Sequence, residues 1–332
     1  MLNKKLINGI EPFNEVFYKD CFYNSLFPVI KYFKRDVLSF LINDVAVYKE
    51  DNKIGNLNFD ADYTSIYSFE RLCCAESLIK LECKKKSDDL IKDIIDSILK
   101  ERPVIVFIDC YYEKIRPEMH GKVHWFHTVT VFGYDMDNKT FDIIEHRHKD
   151  NLGYEKRKIG FTELINCNEG YIRNFSEQLK RDSYYSFYLD ESLEDSYQLQ
   201  DNNILSSLFK SNVLLNKEEI INGINRLQFF SKRFEEVVNN EVSLRKNTQD
   251  LVNVISNIIN CKRVERYKLE KLLPTEYEMI NLMDIVIEEW SSIRKIIGKY
   301  LFSGIYKPND IKNAIISINE IVDFENLYIL KF

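Results

Sequence analysis

The stretch HTVTVFGYDMDNKTFDIIE, residues 127–145, decides the fold that the sequence predicts. Its first half, His127–Asp135, is a short apolar run bounded by turn residues, which is typical of a buried strand. Asp137 and Asn138 then form a turn signal, and the remaining residues return as a second strand. We therefore predict a β-hairpin. Side chains alternate along a strand, so Glu145 shares one face of the returning strand with Phe141 and Ile143.

Further strands and helices are predicted on both sides of this hairpin. Two other apolar runs read as buried strands, at 103–112 (PVIVFIDCYY) and 183–190 (SYYSFYLD). A helix is predicted over 87–101, because Ser87 and two aspartates supply a cap and an acidic first turn. Another helix is predicted from Cys21 to about residue 42, with a kink caused by Pro28.

The pattern becomes helical after the polar, acidic stretch DESLEDSYQLQDNN (190–203), which is typical of a linker. An apolar stripe with helical spacing runs from Met279 to Tyr300 and predicts packing rather than a cofactor site. The last six residues, LYILKF (327–332), are interpreted as a returning edge strand. The sequence thus predicts an α+β protein with two domains, an α+β domain over 1–190 and a helical domain over 191–332.

Composition limits the classes of function. The net charge of -6 and the pI of about 5.6 argue against a broad nucleic-acid-binding face. No apolar run reaches the roughly 18 residues of a membrane helix, and the first residues lack the apolar core of a signal peptide. We therefore expect a cytoplasmic protein without a membrane partner. The odd number of cysteines predicts reduced thiols rather than a disulfide framework: Cys21, Cys73, Cys74, Cys83, Cys110, Cys167 and Cys261.

Cys21 is the cysteine whose position suggests chemistry. It stands where a polar approach gives way to an aromatic-rich helix, so its thiol would face unpaired N–H groups and the positive end of the helix dipole. Both features favour the nucleophilic thiolate. The alternative is that Cys21 fills a core position, as free cysteines commonly do.

All the histidines fall within one short segment, and this clustering suggests a metal site or an acid–base site: His120, His124, His127, His146 and His148. Imidazoles suit zinc, iron and copper, but Gly121 interrupts any helical spacing and Arg147 places a cation between two candidate ligands. We therefore predict no metal. The acid–base interpretation makes His127 the base for Cys21, because the start of a strand holds it rigidly.

A third residue should orient the imidazole of His127 through its other ring nitrogen. Glu145 is the first candidate because it lies near the end of the returning strand, and Asp142 is the second. The alternative is that Glu145 is only an exposed charge at a strand end and that His127 only caps its strand.

The order of a cysteine before a helix, a histidine at a strand start and an acid on the next strand resembles the papain-like cysteine enzymes. The "DC" before the helix and the pattern H-x-V-x-V-F-G-Y-D look like the bacteriocin-leader-peptidase branch of that fold. The combination of PVIVFIDCYY with HTVTVFGYD resembles the acyltransferase of butirosin biosynthesis and its relatives. This resemblance covers about residues 10–160.

The resemblance implies a role for each matching residue. Cys21 would be the acyl-accepting nucleophile, His127 the general base and acid, and Glu145 the orienting group. Tyr111 and Tyr112 match aromatic positions that would line an acyl pocket. Papain-like enzymes commonly carry an oxyanion-binding glutamine where this chain has Glu15, a carboxylate that would repel an oxyanion. Asn14 and the backbone N–H of Cys21 are therefore the predicted substitutes.

The resulting expectation is an acyltransferase that forms an amide through an acyl-cysteine. The donor would be a thioester on the phosphopantetheine arm of an acyl or peptidyl carrier protein, and the acceptor an amine. No ATP or other cofactor is required, in keeping with the absence of a P-loop motif. The alternatives are a cysteine peptidase or amidase with the same residues and a catalytically inactive binding protein.

Docking of an acidic carrier protein on this acidic chain would need a local basic patch. The segment CKRVERYKLEK (261–271) is the predicted position. Lys262, Arg263 and Arg266 would cluster there at helical spacing, with Lys268 and Lys271 nearby. The alternative is an ordinary solvated helix face.

Overall fold

The structure, a computed structural model, describes residues 2–50, 59–146, 152–189 and 201–332. The predicted α+β class is confirmed. The strands in the described residues are β1 Lys4–Leu6, β2 Asp44–Lys49, β3 Asp60–Ser65, β4 Ile79–Lys84, β5 Val104–Asp109, β6 Phe126–Asp135, β7 Thr140–His146, β8 Tyr154–Gly160 and β9 Tyr184–Leu189.

The helices are α1 Cys21–Tyr32, α2 Val37–Ile42, α3 Phe69–Arg71, α4 Leu90–Leu99, α5 Phe161–Asn174, α6 Ser176–Leu179, α7 Asn202–Leu215, α8 Lys217–Asn239, α9 Glu241–Leu272, α10 Tyr277–Ser303 and α11 Pro308–Ile329. Residue contacts divide the chain into two compact units. The first contains residues 1–37 and 67–199, and the second contains 38–66 and 200–332.

The first unit is built on an antiparallel sheet with the strand order β4-β9-β5-β6-β7-β8, and β1 also pairs with β6. The predicted hairpin is confirmed as β6 and β7, in which Asp135 pairs with Thr140 and Thr130 with Ile144. A register shift between Val131 and Gly133 interrupts the ladder. The strands predicted around 103–112 and 183–190 are present as β5 and β9.

Helix α1 packs against β6. The Ser25 hydroxyl hydrogen-bonds the carbonyl oxygen of Thr128 at 3.1 Å, and the Thr130 hydroxyl donates to the Ser25 carbonyl oxygen at 2.7 Å. The prediction of one helix from Cys21 to residue 42 is wrong. The chain leaves the helix after Tyr32, with Lys34 at a φ of +56°, and begins α2 at Val37.

Two other boundaries in the first unit follow from side-chain caps. Asp89 accepts a hydrogen bond from the Lys92 N–H and so begins α4 at Leu90, whereas the sequence predicted a cap at Ser87 with Asp89 inside the first turn. Asp109 accepts one from the Tyr111 N–H, which ends β5 and starts a single 3₁₀ turn, Cys110–Tyr112. The predicted strand over 103–112 is therefore shorter than expected.

The second unit combines helices α7 to α11 with the hairpin of β2 and β3. This hairpin packs on α8 and α9. A Cβ atom added at Gly223 of α8 would lie 3.0 Å from the backbone nitrogen of Tyr48, so only glycine permits this approach. Residues 38–66, predicted to belong to the first domain, thus group with the helical residues. The local sequence of this segment does not show which of the two cores the segment packs on.

The apolar stripe of α10 is confirmed, since all its members from Met279 to Tyr300 are buried. The edge strand predicted at 327–332 is wrong because α11 continues to Ile329. Tyr328 and Ile329 are buried on the same helix as Ile321, and this burial favours one more helical turn over a strand.

None of the helices in the described ranges combines the length and apolar composition that a bilayer-spanning helix needs. All seven cysteines are free thiols, as predicted.

Candidate active site

Cys21 is the first residue of α1, as the sequence predicts. Asp20 caps this helix by accepting a hydrogen bond from the Phe22 N–H at 2.9 Å. The residue is 8% exposed, and Thr128 hydrogen-bonds its sulfur. Burial and the Asp20 charge raise the pKa of the Cys21 thiol to about 12. Burial and the capping carboxylate thus oppose the thiolate that the helix start was expected to favour.

His127 and Glu145 lie together in the first unit. The distance from His127 Nε2 to Glu145 Oε1 is 3.1 Å, and both side chains are buried. Strand alternation brings them onto one face, as predicted. Asp142, the second candidate, instead forms a 2.8 Å ion pair with Lys158. The sequence-predicted pairing of His127 with Glu145 is thus present.

The pKa values of His127 and Glu145 are shifted in opposite directions. Burial and the nearby Arg116 hold the pKa of His127 well below its usual value, so the imidazole is neutral at neutral pH. Burial raises the pKa of Glu145 to about 7, although Arg116 opposes this shift. A neutral imidazole in this position can accept a proton, and the ionised form of the neighbouring carboxyl group then balances the positive charge of the imidazolium.

The structure does not join Cys21 to His127 directly. Thr128, the residue that follows His127 on β6, hydrogen-bonds the thiol. The thiol also raises the pKa of Tyr154, whose ring centroid lies 6.5 Å from that of His127. In the described part of the chain, no hydrogen bond links the Cys21 sulfur to the His127 ring. The proposed base, His127, is therefore the sequence neighbour of the residue that hydrogen-bonds the thiol, but it does not hydrogen-bond the thiol itself.

Arg116 is a central residue of the site that the sequence analysis missed. Its side chain is almost fully buried, and its Nε lies 3.5 Å from Glu145 Oε1 and 3.3 Å from the carbonyl oxygen of His146. Its Nη1 also donates to Cys110 Sγ at 3.5 Å. A buried arginine between acidic groups stabilises the charged form of Glu145. No residue spacing in the sequence predicts that Arg116 contacts Glu145.

Glu113 completes the buried charge cluster. It is fully buried, lies 3.9 Å from Arg116 Nε, and its protonated carboxyl group hydrogen-bonds the carboxylate of Glu145. Burial and the neighbouring Glu145 raise the pKa of Glu113 well above its usual value. Arg116 therefore compensates the charge of one carboxylate, Glu145, while Glu113 stays protonated.

The geometry also bears on the metal interpretation. Ligand atoms of His127, Glu145 and His146 lie within 4.8 Å of one another. However, the Arg116 guanidinium contacts both Glu145 and the Nε2 of His146, so a cationic group already occupies the space between the donors. His124 belongs to a separate cluster, and His148 lies outside the described residues. The arrangement favours proton transfer over metal ligation.

The predicted oxyanion residues do not reach Cys21 through their side chains. Asn14 Nδ2 donates to the Tyr154 carbonyl oxygen, and the Tyr154 N–H donates to Asn14 Oδ1, both at 2.9 Å. These two hydrogen bonds hold the Asn14 side chain against β8, and its oxyanion role stays a prediction. Glu15 lies 3.7 Å from Lys31 near the other end of α1, which removes its carboxylate from the site.

The aromatic residues around Cys21 differ from those predicted. Tyr111 stacks on His124, and Tyr112 packs against Gly170, so a role in an acyl pocket remains a prediction for both. Phe22, which follows Cys21, stacks on Phe107 and also meets the rings of Tyr23, Phe69 and Tyr185. These rings form an apolar wall beside the thiol.

The basic patch predicted for carrier docking is exposed only in part, and its docking role stays a prediction. Lys262 is buried in the second unit and forms a 2.5 Å ion pair with Glu325. Lys268 is fully buried and lies 2.6 Å from Glu265. Arg266 is paired with Asp284 and Glu270. Lys262 and Lys268 therefore serve internal ion pairs, whereas Arg263 and Lys271 are exposed on α9.

No protein-family model matches the sequence, and no curated protein matches it significantly.

Proposed function

We propose that this chain is a cysteine acyltransferase with a papain-like first unit, which forms an amide by way of an acyl-cysteine. The observation that carries the proposal is the buried His127–Glu145 pair, next in sequence to the residue that hydrogen-bonds the helix-start thiol of Cys21. The sequence resemblance to the butirosin acyltransferase group points the same way. Among these relatives, the amide-forming cysteine enzyme of closthioamide biosynthesis carries out chemistry of the proposed type.

The first half-reaction transfers the acyl group to the enzyme. The Cys21 side chain turns from Thr128 towards the imidazole of His127, which takes the thiol proton as the sulfur attacks the donor carbonyl carbon. The carbon–sulfur bond of the donor breaks, and His127 returns the proton to the departing pantetheine thiolate. Because the resting thiol is neutral, proton removal accompanies attack rather than preceding it.

The second half-reaction releases the product. An amine attacks the acyl-cysteine, the bond from carbon to the Cys21 sulfur breaks, and the proton lost by nitrogen restores the thiol through His127. The backbone N–H of Cys21, which donates to no acceptor in the described ranges, is the proposed oxyanion donor. Glu145, held by Arg116, stabilises the imidazolium formed in each step.

Selection of an amine over water requires a dry site. Cys21 is 8% exposed and has the ring of Phe22 and its aromatic neighbours on one side, which supports acyl transfer over hydrolysis. We propose a carrier protein in the cytoplasm as the donor partner, with no docking surface assigned. A cysteine peptidase or amidase with the same residues remains the second candidate.

The test is covalent trapping of the acyl group. The protein is incubated without amine with acetyl-, hexanoyl- and phenylacetyl-pantetheine, and its intact mass and peptide masses are recorded. We expect one acyl group on Cys21, none in Cys21→Ser, and amide formation when an alkylamine is added. An adduct on the exposed Cys74 or Cys83, or none at all, would contradict the proposal. Free acid as the main product despite added amine would favour the hydrolase.

A further inference from the structure

A second histidine–carboxylate pair lies at the end of β5, outside the site described above. His124 Nδ1 lies 2.7 Å from Asp109 Oδ2, and Asn174 Nδ2 donates to the same oxygen at 2.8 Å. The backbone N–H groups of Tyr111 and Trp125 donate to Oδ1 at 3.0 and 3.2 Å. Asp109 is fully buried, so four donors fix its carboxylate in one orientation.

This arrangement leaves one nitrogen of His124 available. An ionised carboxylate only accepts hydrogen bonds, so the proton of the neutral ring stands on Nδ1 and the lone pair on Nε2. The His124 side chain is 48% exposed, and its Nε2 has no partner among the described residues. Its ring is stacked on Tyr111 with centroids 4.3 Å apart. The imidazole is therefore oriented, yet able to exchange protons with solvent.

The pair lies on the same face of the sheet as the thiol of Cys21. Phe107 of β5 pairs with Thr128, which hydrogen-bonds the thiol, and its ring stacks on Phe22. Asp109 is two residues further along β5, so its side chain returns to that face about 7 Å beyond Phe107. Asp109 and the His124 ring that it orients therefore belong to the face of β5 on which Phe107 stacks on Phe22, the residue after Cys21.

The proposed reaction needs a second proton acceptor. An alkylamine reaches the enzyme as an ammonium ion, which has no lone pair and must lose a proton before it can attack. The buried His127 is poorly placed to pass that proton to solvent, because its side chain has almost no contact with solvent. The half-exposed imidazole of His124, which is hydrogen-bonded to the carboxylate of Asp109, can accept this proton and pass it to solvent.

We propose that His124, oriented by Asp109 and Asn174, is the base that deprotonates the incoming ammonium in the second half-reaction; this inference rests on the proposed function. The N–H bond of the ammonium breaks, its proton goes to His124 Nε2, and the free amine attacks the acyl-cysteine. His124 then releases the proton to solvent. The overall reaction of thioester and ammonium gives amide, thiol and one proton, so the atoms and charges balance.

The test separates the two half-reactions with amines of different basicity. His124→Gln and the matched control His120→Gln, an exposed histidine four residues earlier, are acylated with the acyl-pantetheines named above. Decay of the acyl-enzyme is followed with propylamine, which is protonated at neutral pH, and with 2,2,2-trifluoroethylamine, which is not. We expect His124→Gln to acylate normally, to react about 100-fold more slowly with propylamine, and to keep its rate with trifluoroethylamine.

The loss with propylamine should also shrink as the pH is raised, since the fraction of free amine then grows. Equal slowing with both amines, or an unchanged rate with propylamine, would overturn this inference alone. Absence of any acyl-enzyme in the wild-type protein would overturn the proposed function, and this inference with it. The control His120→Gln should match the wild type with both amines.

Discussion

The carboxylate of Asp20 caps the helix that begins at Cys21 and also raises the pKa of the Cys21 thiol. The group that stabilises the helix start therefore opposes the thiolate that the helix dipole favours. Arg181 offsets part of this effect, because it lies 2.8 Å from Asp20 and lowers the pKa of the thiol. The reactivity of Cys21 depends on the balance between these two neighbours.

Replacing Asp20 by asparagine should make Cys21 more reactive. Asparagine is as good an N-cap as aspartate, so α1 is preserved, while loss of the charge lowers the thiol pKa. We expect faster alkylation of Cys21 by iodoacetamide at mildly alkaline pH, measured by peptide mass spectrometry. Arg181→Gln is the opposing variant and should slow the same reaction. Slower labelling in Asp20→Asn would show that the cap does not control the thiol.

The raised pKa of Glu145 predicts a pH-dependent effect of Glu145→Gln on stability. The carboxyl titrates at about 7 in the folded protein and at about 4.5 when unfolded, so its contribution is fully present below about 4.5 and is lost as the pH rises through 7. Glutamine does not titrate. The melting temperature of the variant relative to wild type should therefore rise from pH 5 to pH 8.

The exposed Glu155 supplies the control for this experiment. Glu155→Gln should shift the melting temperature by a small amount that does not change with pH. A difference between Glu145→Gln and wild type that stays constant across this range would contradict the raised pKa.

The acid–base pair makes a separate prediction for catalysis. His127→Ala should lose nearly all acyl transfer, whereas Glu145→Gln should lose less, because orientation is only part of catalysis. Asp142→Asn is the matched control on the same strand, since Asp142 pairs with Lys158 rather than His127. Rates of amide formation from an acyl-pantetheine measure all three. Full activity in Glu145→Gln with loss in Asp142→Asn would reverse their assignment.

Parts of this molecule could be predicted because they depend on local periodicity. The alternation along β7 placed Glu145 beside His127, and the helical spacing of α10 predicted its buried face. Residues that act through the tertiary structure could not be predicted in this way. Arg116 belongs to a loop without a pattern, and only the folded chain brings it to Glu145.

The second unit shows the same limit. Lys262 has the spacing of a solvated basic helix face, but its partner Glu325 is 63 residues away in sequence and both are buried. The hairpin at 44–65 follows α2 directly, yet it packs on α8 and α9. Sequence patterns specify that a face is apolar or charged, whereas the partner of that face depends on the topology.

Arg116→Met should destabilise the first unit strongly. Apart from two histidines, Arg116 is the only basic side chain within 4 Å of Glu145 and Glu113 among the described residues. Its loss leaves the buried carboxylate of Glu145 uncompensated. We expect the unfolding free energy, measured by urea denaturation, to fall by about 3–5 kcal/mol. Lys156→Met, which removes an exposed pair with Glu11, should cost at most about 1 kcal/mol.

Two further variants test the cause of that loss. Glu113→Gln removes a carboxyl group that is already protonated, so alone it should change the stability little. Combined with Arg116→Met, Glu145→Gln should recover part of the lost free energy, because it removes the carboxylate that Arg116 compensates, whereas Glu113→Gln should not. No recovery when Glu145→Gln is added to Arg116→Met would mean that Arg116 stabilises the fold by packing rather than by charge.

The last prediction concerns Gly170, where α5 approaches the 3₁₀ turn after β5. A Cβ atom at this position would lie 2.5 Å from Tyr112 Cε2 and 3.0 Å from the Cβ of Asp109. Gly170→Ala should therefore lower the unfolding free energy by about 1–3 kcal/mol, although alanine is the better helix former. Truncating the ring by adding Tyr112→Leu should restore most of the loss.

Gly298 in α10 is the matched control, since an added Cβ atom there meets no atom within 4 Å. Gly298→Ala should raise the unfolding free energy by about 1 kcal/mol, which is the helix preference without a clash. Because Asp109 orients His124, the displacement in Gly170→Ala should also slow the reaction of the acyl-enzyme with propylamine more than its reaction with trifluoroethylamine. A Gly170→Ala protein as stable as wild type would show that Tyr112 moves aside freely and that α5 does not fix the position of Asp109.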